Sequence, residues 1–580
     1  MRPPAASGIK LGPAPKNYTL EQDKARPPRE TVQWVLEGFA RLGQEVLRKV
    51  QRIDTGRLDI PVYISLCGEA ATALTNTQKQ MGKGASPVQA EASALMELAE
   101  RFSFFHFMRA TDFPWFTAGQ APAPVMDFTQ AAKAVYHPLG DLERARRVYE
   151  LLPQTWAWAR SLAADRDEMI PLGWFYAINE YNGPAAGNCQ EEAVLQSLCE
   201  VVERHVSAVV TLEKRPTPAI RRESITDPVS RELIAKFEAA GIEVFLKDFT
   251  CDMGIPSVAA LCWDPSTFPV SSEIVYAAGT ATSPAKALIR ALTEVAQLAG
   301  DFHTYSNYKV SALPKFPDME AARYVTEAAG EVDLDSLPDL SRDDLHEEVR
   351  ACVKALAERG YSVYSLDVSH DRLQVPAVYT IIPGAHFAYR TTGTDVIFHA
   401  AKLASQLADP AQALAVLTAM AAETGEAYFL HFFRALALIN LERPGEALAA
   451  LEKALTLDPP ARDEASIHTQ LGAALKDLGR YDEAMAALKR AASFPEPHHE
   501  VFNLLGFCHY MLKQHEEAIA AFEKAIEIEP GLAINYANIG SNLREMGKLD
   551  EACKMYEHAL ELDPALDFAR DNLRRLRGGA

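Results

Sequence analysis

The sequence predicts an α/β (α+β) N-terminal domain with mixed sheets, followed by an all-α superhelix of repeated helix pairs. Three observations carry that expectation. Small residues recur at a fixed interval of 34 near the C-terminus, at Gly472, Gly506 and Gly540. Upstream of about residue 400 no such repeat exists, and short β-rich runs alternate with helical stretches. A length of 580 residues also exceeds one domain, since domains run at roughly 150 residues each.

In the N-terminal region VYISLCG (62–68) and VPAVYTIIPG (375–384) have strand composition. IEVFLKDFT (242–250) and PSVAALCWD (256–264) form a second strand pair across the turn-like CDMGI. Helices are expected at 30–50, 86–109, 189–211, 228–240, 284–302 and 343–359, and loops at 121–126 and 312–320.

In the C-terminal region Ala484, Ala518 and Ala552 keep the same interval, as do Leu488, Phe522 and Tyr556. A small residue lets two antiparallel helices approach, and the alanine and aromatic fill the space between them. Pro530 and Pro564 close successive units, and Ala447, Leu451, Ala454 and Pro459 mark an earlier one. The pattern resembles a tetratricopeptide (TPR) array. The expected organisation is an N-terminal domain over 1–405, a helical connector over 406–427, four repeats over 428–565, and a capping helix and tail over 566–580. Such an array implies a concave surface for a peptide or partner protein.

The formal charge is −20, which disfavours non-specific contact with nucleic acid or anionic membranes. No stretch reaches the 18 apolar residues of a spanning helix. The opening MRPPAASGIKLGPAPK lacks the apolar core of a secretory leader. Eight scattered cysteines form no CxxC pair. These features lead to the expectation of a cytoplasmic chain with no nucleic-acid or membrane partner.

Three helices place charge among apolar residues. In ASALMELAERFSFF (92–105), Ser93, Glu97 and Glu100 fall at i, i+4 and i+7 on one face, with nearly everything else apolar. In EEAVLQSLCEVVERHVSAVV (191–210), Glu192, Gln196, Glu200 and Glu203 share a face, and Arg204 follows. In SPAKALIRALTEVAQLAG (283–300), Arg290, Glu294 and Gln297 repeat the step. An ExxER string alone is common on solvated helix faces, but three with apolar flanks are not. Two carboxylates about 4 Å apart repel by about 4 kcal/mol at an effective dielectric near 20. Arg101, Arg204 and Arg290 match only three of the six glutamates, and oxygen ligands suit Mg²⁺ or Ca²⁺. GKGAS (82–86) and AAGN (185–188) each lead into one of these helices. Lys83 supplies charge, Ser86 is a candidate cap, and together they suggest an anion-binding helix start.

GKGASPVQAEASALMELAER, GNCQEEAVLQSLCEVVERH and RALTEVAQ resemble the three nucleotide-binding motifs of the YcaO family: S-x₃-E-x₂-ER, E-x₃-Q-x₃-E-x₂-ER and R-x₃-E-x₂-Q. The likeness spans about residues 20–400. It implies an ATP- and Mg²⁺-dependent enzyme acting on backbone amides, of the subgroup bearing a helical-repeat C-terminus. On that resemblance Glu97, Glu100, Glu200, Glu203 and Glu294 form the magnesium shell, and Glu192 joins it or orders its waters. Asn188, Gln196, Arg204, Arg290 and Gln297 contact the nucleotide or orient the glutamates, and Ser93 and Arg101 complete the first motif. KARPPRET (24–31) resembles the family's N-terminal segment and nominates Lys24 and Thr31 for the phosphates.

The implied chemistry is phosphorylation of an amide oxygen after a nucleophile adds to the amide carbon, giving an azoline or a thioamide. Azoline-forming members end in a PxPxP tail, whereas this chain ends NLRRLRGGA. The expectation is therefore ATP-using modification of a protein substrate, such as support of ribosomal-protein methylthiolation, or thioamidation. A partner modification enzyme in the TPR groove and a homodimer are further expectations from the family. The alternative is a nucleotide-binding adaptor that recruits a modification enzyme through its repeats. No residue stands out as an acid–base catalyst: His205 reads as packed, and Cys199 as core.

Overall fold

A computed structural model of the chain describes residues 6–135, 141–302, 316–387 and 394–578. Of the loop expected over 312–320, residues 312–315 lie outside these. Contacts divide the chain into two units, Met1–Gly140 with Pro153–Asp395, and Asp141–Leu152 with Val396–Ala580. The cut thus falls ten residues before the expected 405, and the helix Leu142–Leu151 joins the second unit, where Arg147 pairs with Glu423 at 2.8 Å.

The first unit is the mixed α/β region. Strands β1 (Leu47–Arg52), β2 (Val62–Cys67) and β3 (Lys79–Lys83) form an antiparallel meander. β4 (Trp115–Phe116) and β5 (Gln154–Thr155) make a small pair. The remaining strands are β6 (Ala157–Ser161), β7 (Arg166–Ile170), β8 (Pro184–Ala186), β9 (Thr217–Ile220), β10 (Glu243–Asp248), β11 (Ser257–Trp263), β12 (Val275–Thr280), β13 (Ala328–Val332), β14 (Tyr364–Asp367) and β15 (Ala377–Ile381). They build two five-stranded sheets, ordered β12-β11-β10-β9-β13 and β7-β6-β14-β15-β8.

The expected strand pair at 242–264 is β10 and β11, antiparallel with Asp248 opposite Val258. The helix expected at 30–50 is Pro28–Arg41 only, and the rest includes strand β1. Its sequence LRKVQR carries enough cations to pass for a solvated helix face. It is a sheet-edge strand, half exposed, whose ladder to β2 outweighs local propensity.

One arrangement occurs twice: a helix, three antiparallel strands, then a second helix. The first copy is Pro28–Arg41, β1–β3 and Pro87–Ala110; the second is Pro228–Ala239, β10–β12 and Pro284–Ala299. Gly82, Ser86, Pro87 and Glu97 of the first match Gly279, Ser283, Pro284 and Glu294 of the second at one constant interval. Both glycines are dictated by close packing. A Cβ on Gly82 would lie 2.0 Å from Ala94 N, and one on Gly279 2.4 Å from Ala287 O. The last strand of each copy therefore runs directly against its helix.

The second unit is all helical among the described residues. Four helix pairs follow Val396–Ser405 and Pro410–Thr424: Tyr428–Asn440 with Pro444–Leu455, Ala461–Asp477 with Tyr481–Ala492, His499–Met511 with His515–Ile528, and Ala533–Glu545 with Leu549–Leu562. Asp567–Leu576 ends the run. Gly506 backs onto the Phe522 ring, where a Cβ would come within 2.7 Å. Ala484, Ala518, Ala552, Leu488, Phe522 and Tyr556 are all buried.

Candidate functional site

The three charged helices are Pro87–Ala110, Gln190–Glu213 and Pro284–Ala299, here the first, second and third motif helices. Together with the segment 21–31 they border one cleft of about 830 Å³, counted to its solvent-open mouth. Of the residues nominated from sequence, Lys24, Thr31, Lys83, Ser93, Glu97, Glu100, Asn188, Glu192, Gln196 and Arg290 line it. Glu203 and Glu294 attach to its cationic residues Arg290 and Lys83, whereas Glu200 pairs with Arg204, and neither of those two, nor Ser86 or Arg101, is among the lining residues. Gln297 lies apart, in a cavity with Ile53, Thr55, Lys79 and Asp301.

The glutamates are withdrawn from bulk solvent but not left unpaired. Arg101 Nε lies 3.0 Å from Glu97 Oε1 and 3.3 Å from Glu100 Oε1. Arg204 faces Glu200 at 3.8 Å. Arg290 reaches Glu203 at 3.2 Å and donates to Gln196 Oε1 at 3.1 Å. Lys83, at the end of β3, pairs with Glu294 of the third motif helix. Lys24 lies 3.5 Å from Glu192. Counting arginines alone undercounted the compensation: two lysines, distant in sequence, also serve the six carboxylates.

Residual strain remains in the electrostatics. Burial, then the charge of Glu97, raises the Glu100 carboxyl well above the usual carboxylate range. Burial also raises Glu200, against the opposing pull of Arg204 and Arg101. Glu100 Oε1, Ser86 Oγ, Gln89 Oε1 and Arg290 Nε are buried with no hydrogen-bond partner. Glu100, Gln89 and Arg290 line the cleft, and acceptors and donors left open there fit a bound ligand that carries both a cation and polar groups. Among the described residues, however, no three His, Cys, Asp or Glu side chains are already gathered as a cation cage.

The segment 21–31 completes the wall. Thr31 donates to Asn188 Oδ1 at 2.8 Å, and Asn188 Nδ2 donates to Glu192 at 3.0 Å. The Ala25 N–H donates to Glu192 Oε2 at 2.9 Å. Glu192 is thereby held by Asn188 and the Ala25 N–H, besides its ion pair with Lys24.

The start of the first motif helix differs from expectation. Ser86 is its N-cap residue, but its side chain makes no capping bond. Glu21 fills that role instead: its Oε2 accepts from the N–H groups of Ala85 at 2.8 Å and Ser86 at 3.0 Å. An acidic side chain suits the positive end of a helix dipole, and the Ala85 and Ser86 N–H groups of GKGAS are taken by the chain's own carboxylate. Sequence reading missed Glu21 because it lies 64 residues away.

His205 is buried on the opposite side of the second motif helix from Glu203. Its Nε2 bonds Asp252 at 3.2 Å, and its Nδ1 accepts from the His386 N–H at 2.9 Å. Both ring nitrogens are engaged, as a packed histidine requires. Cys199 is buried and its thiol is pushed up to about 12 by burial.

A family model described as YcaO cyclodehydratase, ATP- and Mg²⁺-binding, matches residues 81–386, just over half of the chain. Tetratricopeptide models match 430–460, 465–496 and 498–565. An uncharacterized protein of Methanothermobacter thermautotrophicus is 28% identical over 62% of this chain and 93% of its own. The ribosomal protein S12 methylthiotransferase accessory factor YcaO of Escherichia coli is 26% identical over 55% of this chain and 58% of its own. A solved heterocyclase in complex with substrate and cofactor superposes with a TM-score of 0.54 at 22% identity, over 65% of this chain and 54% of that one. The chain thus spans little more than half the length of the last two. No described helix is long and apolar enough to cross a membrane.

Proposed function

The chain belongs to the YcaO family, described as ATP- and Mg²⁺-binding, and we propose that it uses Mg·ATP to activate a backbone amide of a peptide or protein. The observation that carries this reading is the convergence of three separate motif helices on one cleft. There their carboxylates and cations are interleaved, and buried polar atoms stay open.

Glu97, Glu100 and Glu200 are the residues that would hold Mg²⁺: burial raises the Glu100 and Glu200 acids, the charge of Glu97 adds to both shifts, and a cation there would relieve them. Bound there, Mg²⁺ supplies charge neutralisation along the polyphosphate. Glu203 and Glu294 orient Arg290 and Lys83, which carry positive charge towards the transferring phosphoryl group. Lys24 and Thr31 serve the phosphates from the opposite wall. Glu192, fixed by Asn188 and Ala25, keeps Lys24 in place.

A nucleophile adds to the amide carbon and its proton passes to solvent. The amide oxygen then attacks the γ-phosphorus and ADP leaves; phosphate departs as a double bond forms at carbon, to nitrogen with loss of the amide N–H proton for an intramolecular nucleophile, or to sulfur with loss of the remaining S–H proton for external sulfide. An intramolecular Cys, Ser or Thr gives an azoline; external sulfide gives a thioamide. The TPR array offers a surface for the protein substrate or for a second modification enzyme.

ADP release, measured with Mg·ATP and candidate peptides, tests the proposal. Peptide-stimulated turnover that disappears in Glu200→Gln supports it. Tight nucleotide binding with no turnover under any partner condition favours the adaptor alternative, and unchanged Mg·ATP affinity in Glu200→Gln refutes the site assignment.

A further inference from the structure

We propose that Gln89 reads the nucleoside half of the nucleotide, its Oε1 accepting a hydrogen bond from the adenine amine or a ribose hydroxyl. This inference rests on the nucleotide reading of the cleft. Gln89 belongs to none of the three motifs. It lies in the first turn of the first motif helix, four residues before Ser93, and continues the stripe of Ser93, Glu97 and Glu100 by one turn. The residue is only 7% exposed and lines the cleft, yet its Oε1 has no hydrogen-bond partner.

A buried amide oxygen without a donor is unfavourable, and a ligand donor at that point removes the penalty. The open Oε1 calls for a donor, which an amine or a hydroxyl supplies and an ionised phosphate oxygen does not. Of the nearby backbone donors, the Ala85 and Ser86 N–H groups just before the helix are already taken by Glu21. Gln89 stands eight residues before Glu97, about 12 Å along the helix axis. That separation suits a ligand whose phosphates lie at the glutamates and whose nucleoside extends towards the helix start.

The side chain is also held in position. A Cβ on Gly84 would lie 2.8 Å from Gln89 Cγ and 2.9 Å from its Cβ, so the glycine lets the Gln89 stem rest directly on the loop backbone. The wall beside it is small and apolar, with Ala85, Ala92 and Met96, as a flat base or a sugar requires.

The test is equilibrium binding to the full chain in saturating Mg²⁺, with ATP, ITP, 2′,3′-dideoxy-ATP and tripolyphosphate as probes. Wild type is compared with Gln89→Met, which keeps the unbranched shape, and with Gln89→Leu as a second variant. Melting curves report whether each is folded. The expected result is a loss of about tenfold or more in ATP affinity with tripolyphosphate unaffected. One analogue, already weak on wild type, should then be insensitive to the substitution. Insensitive ITP identifies the base amine as the donor, and insensitive dideoxy-ATP identifies the ribose. Equal losses for ATP, both analogues and tripolyphosphate, or no loss for any, overturn the assignment while leaving the cleft a nucleotide site. Failure of wild type to bind ATP in Mg²⁺ overturns the nucleotide reading itself, and this inference with it.

Discussion

Arg290 of the third motif helix meets Glu203 of the second at 3.2 Å, and the same Glu203 oxygen accepts the Thr280 N–H of β12 at 3.0 Å. One carboxylate therefore joins two motif helices and the strand that packs on the third. Glu203 is 8% exposed, so removing its cation leaves a buried charge. Arg290→Met is expected to lower stability by about 3 kcal/mol, from the cost of breaking a buried pair. In a double-mutant cycle with Glu203→Gln, read by urea unfolding, the two losses should fall well short of additive.

Glu21 is expected to matter through its two backbone bonds. Glu21→Ala leaves the Ala85 and Ser86 N–H groups without acceptors, at a cost of about 1–3 kcal/mol. Glu21→Gln keeps an acceptor and loses only the charge at the helix start, which is worth about 0.3–1 kcal/mol. The midpoint of urea unfolding should rank wild type, Gln, Ala in falling order; equal midpoints for Ala and wild type would refute the capping role.

Acid sensitivity should include a contribution from His386. Burial, followed by the charge of His205, lowers its imidazole to about 4, while the unfolded chain titrates near 6.5. Between those values the unfolded state binds more protons. Stability from this group is therefore complete above about pH 6.5 and is lost as pH falls towards 4. His106 and His370, also lowered mainly by burial, act in the same direction. His386→Asn should flatten, without abolishing, the fall in denaturation midpoint between pH 7 and pH 5.

Within the repeats, Gly506→Ala should be costly. The new methyl would sit 2.7 Å from the Phe522 ring, an overpacking worth about 1–3 kcal/mol. Gly531→Ala meets only the Glu529 carboxylate tip, at 3.6 Å, and should leave the melting temperature of the full chain nearly unchanged.

Much of the site was legible because its residues sit at helical spacing inside apolar stretches, as Glu97, Glu100, Glu200 and Glu203 do. A helix of known period fixes which of its side chains share a face. The repeats were legible for the same reason, since Gly506 and Phe522 recur with their unit. What escaped was the connection between segments. Lys83 with Glu294, and Glu21 with Ser86, are pairs that no local period announces. The helix expected through residue 50 failed because LRKVQR has the same composition in a solvated helix and in an edge strand.

By itself, then, the sequence determined the helix faces, the repeat and the family motifs, all of which follow from short-range periodicity and side-chain chemistry. Tertiary structure alone decided which cation stands against which glutamate, that Glu21 rather than Ser86 holds the first motif helix, and that Gln89 is buried with an open acceptor. Those outcomes depend on which surfaces meet across long stretches of chain, where burial and distance set the strength of each charge and hydrogen bond.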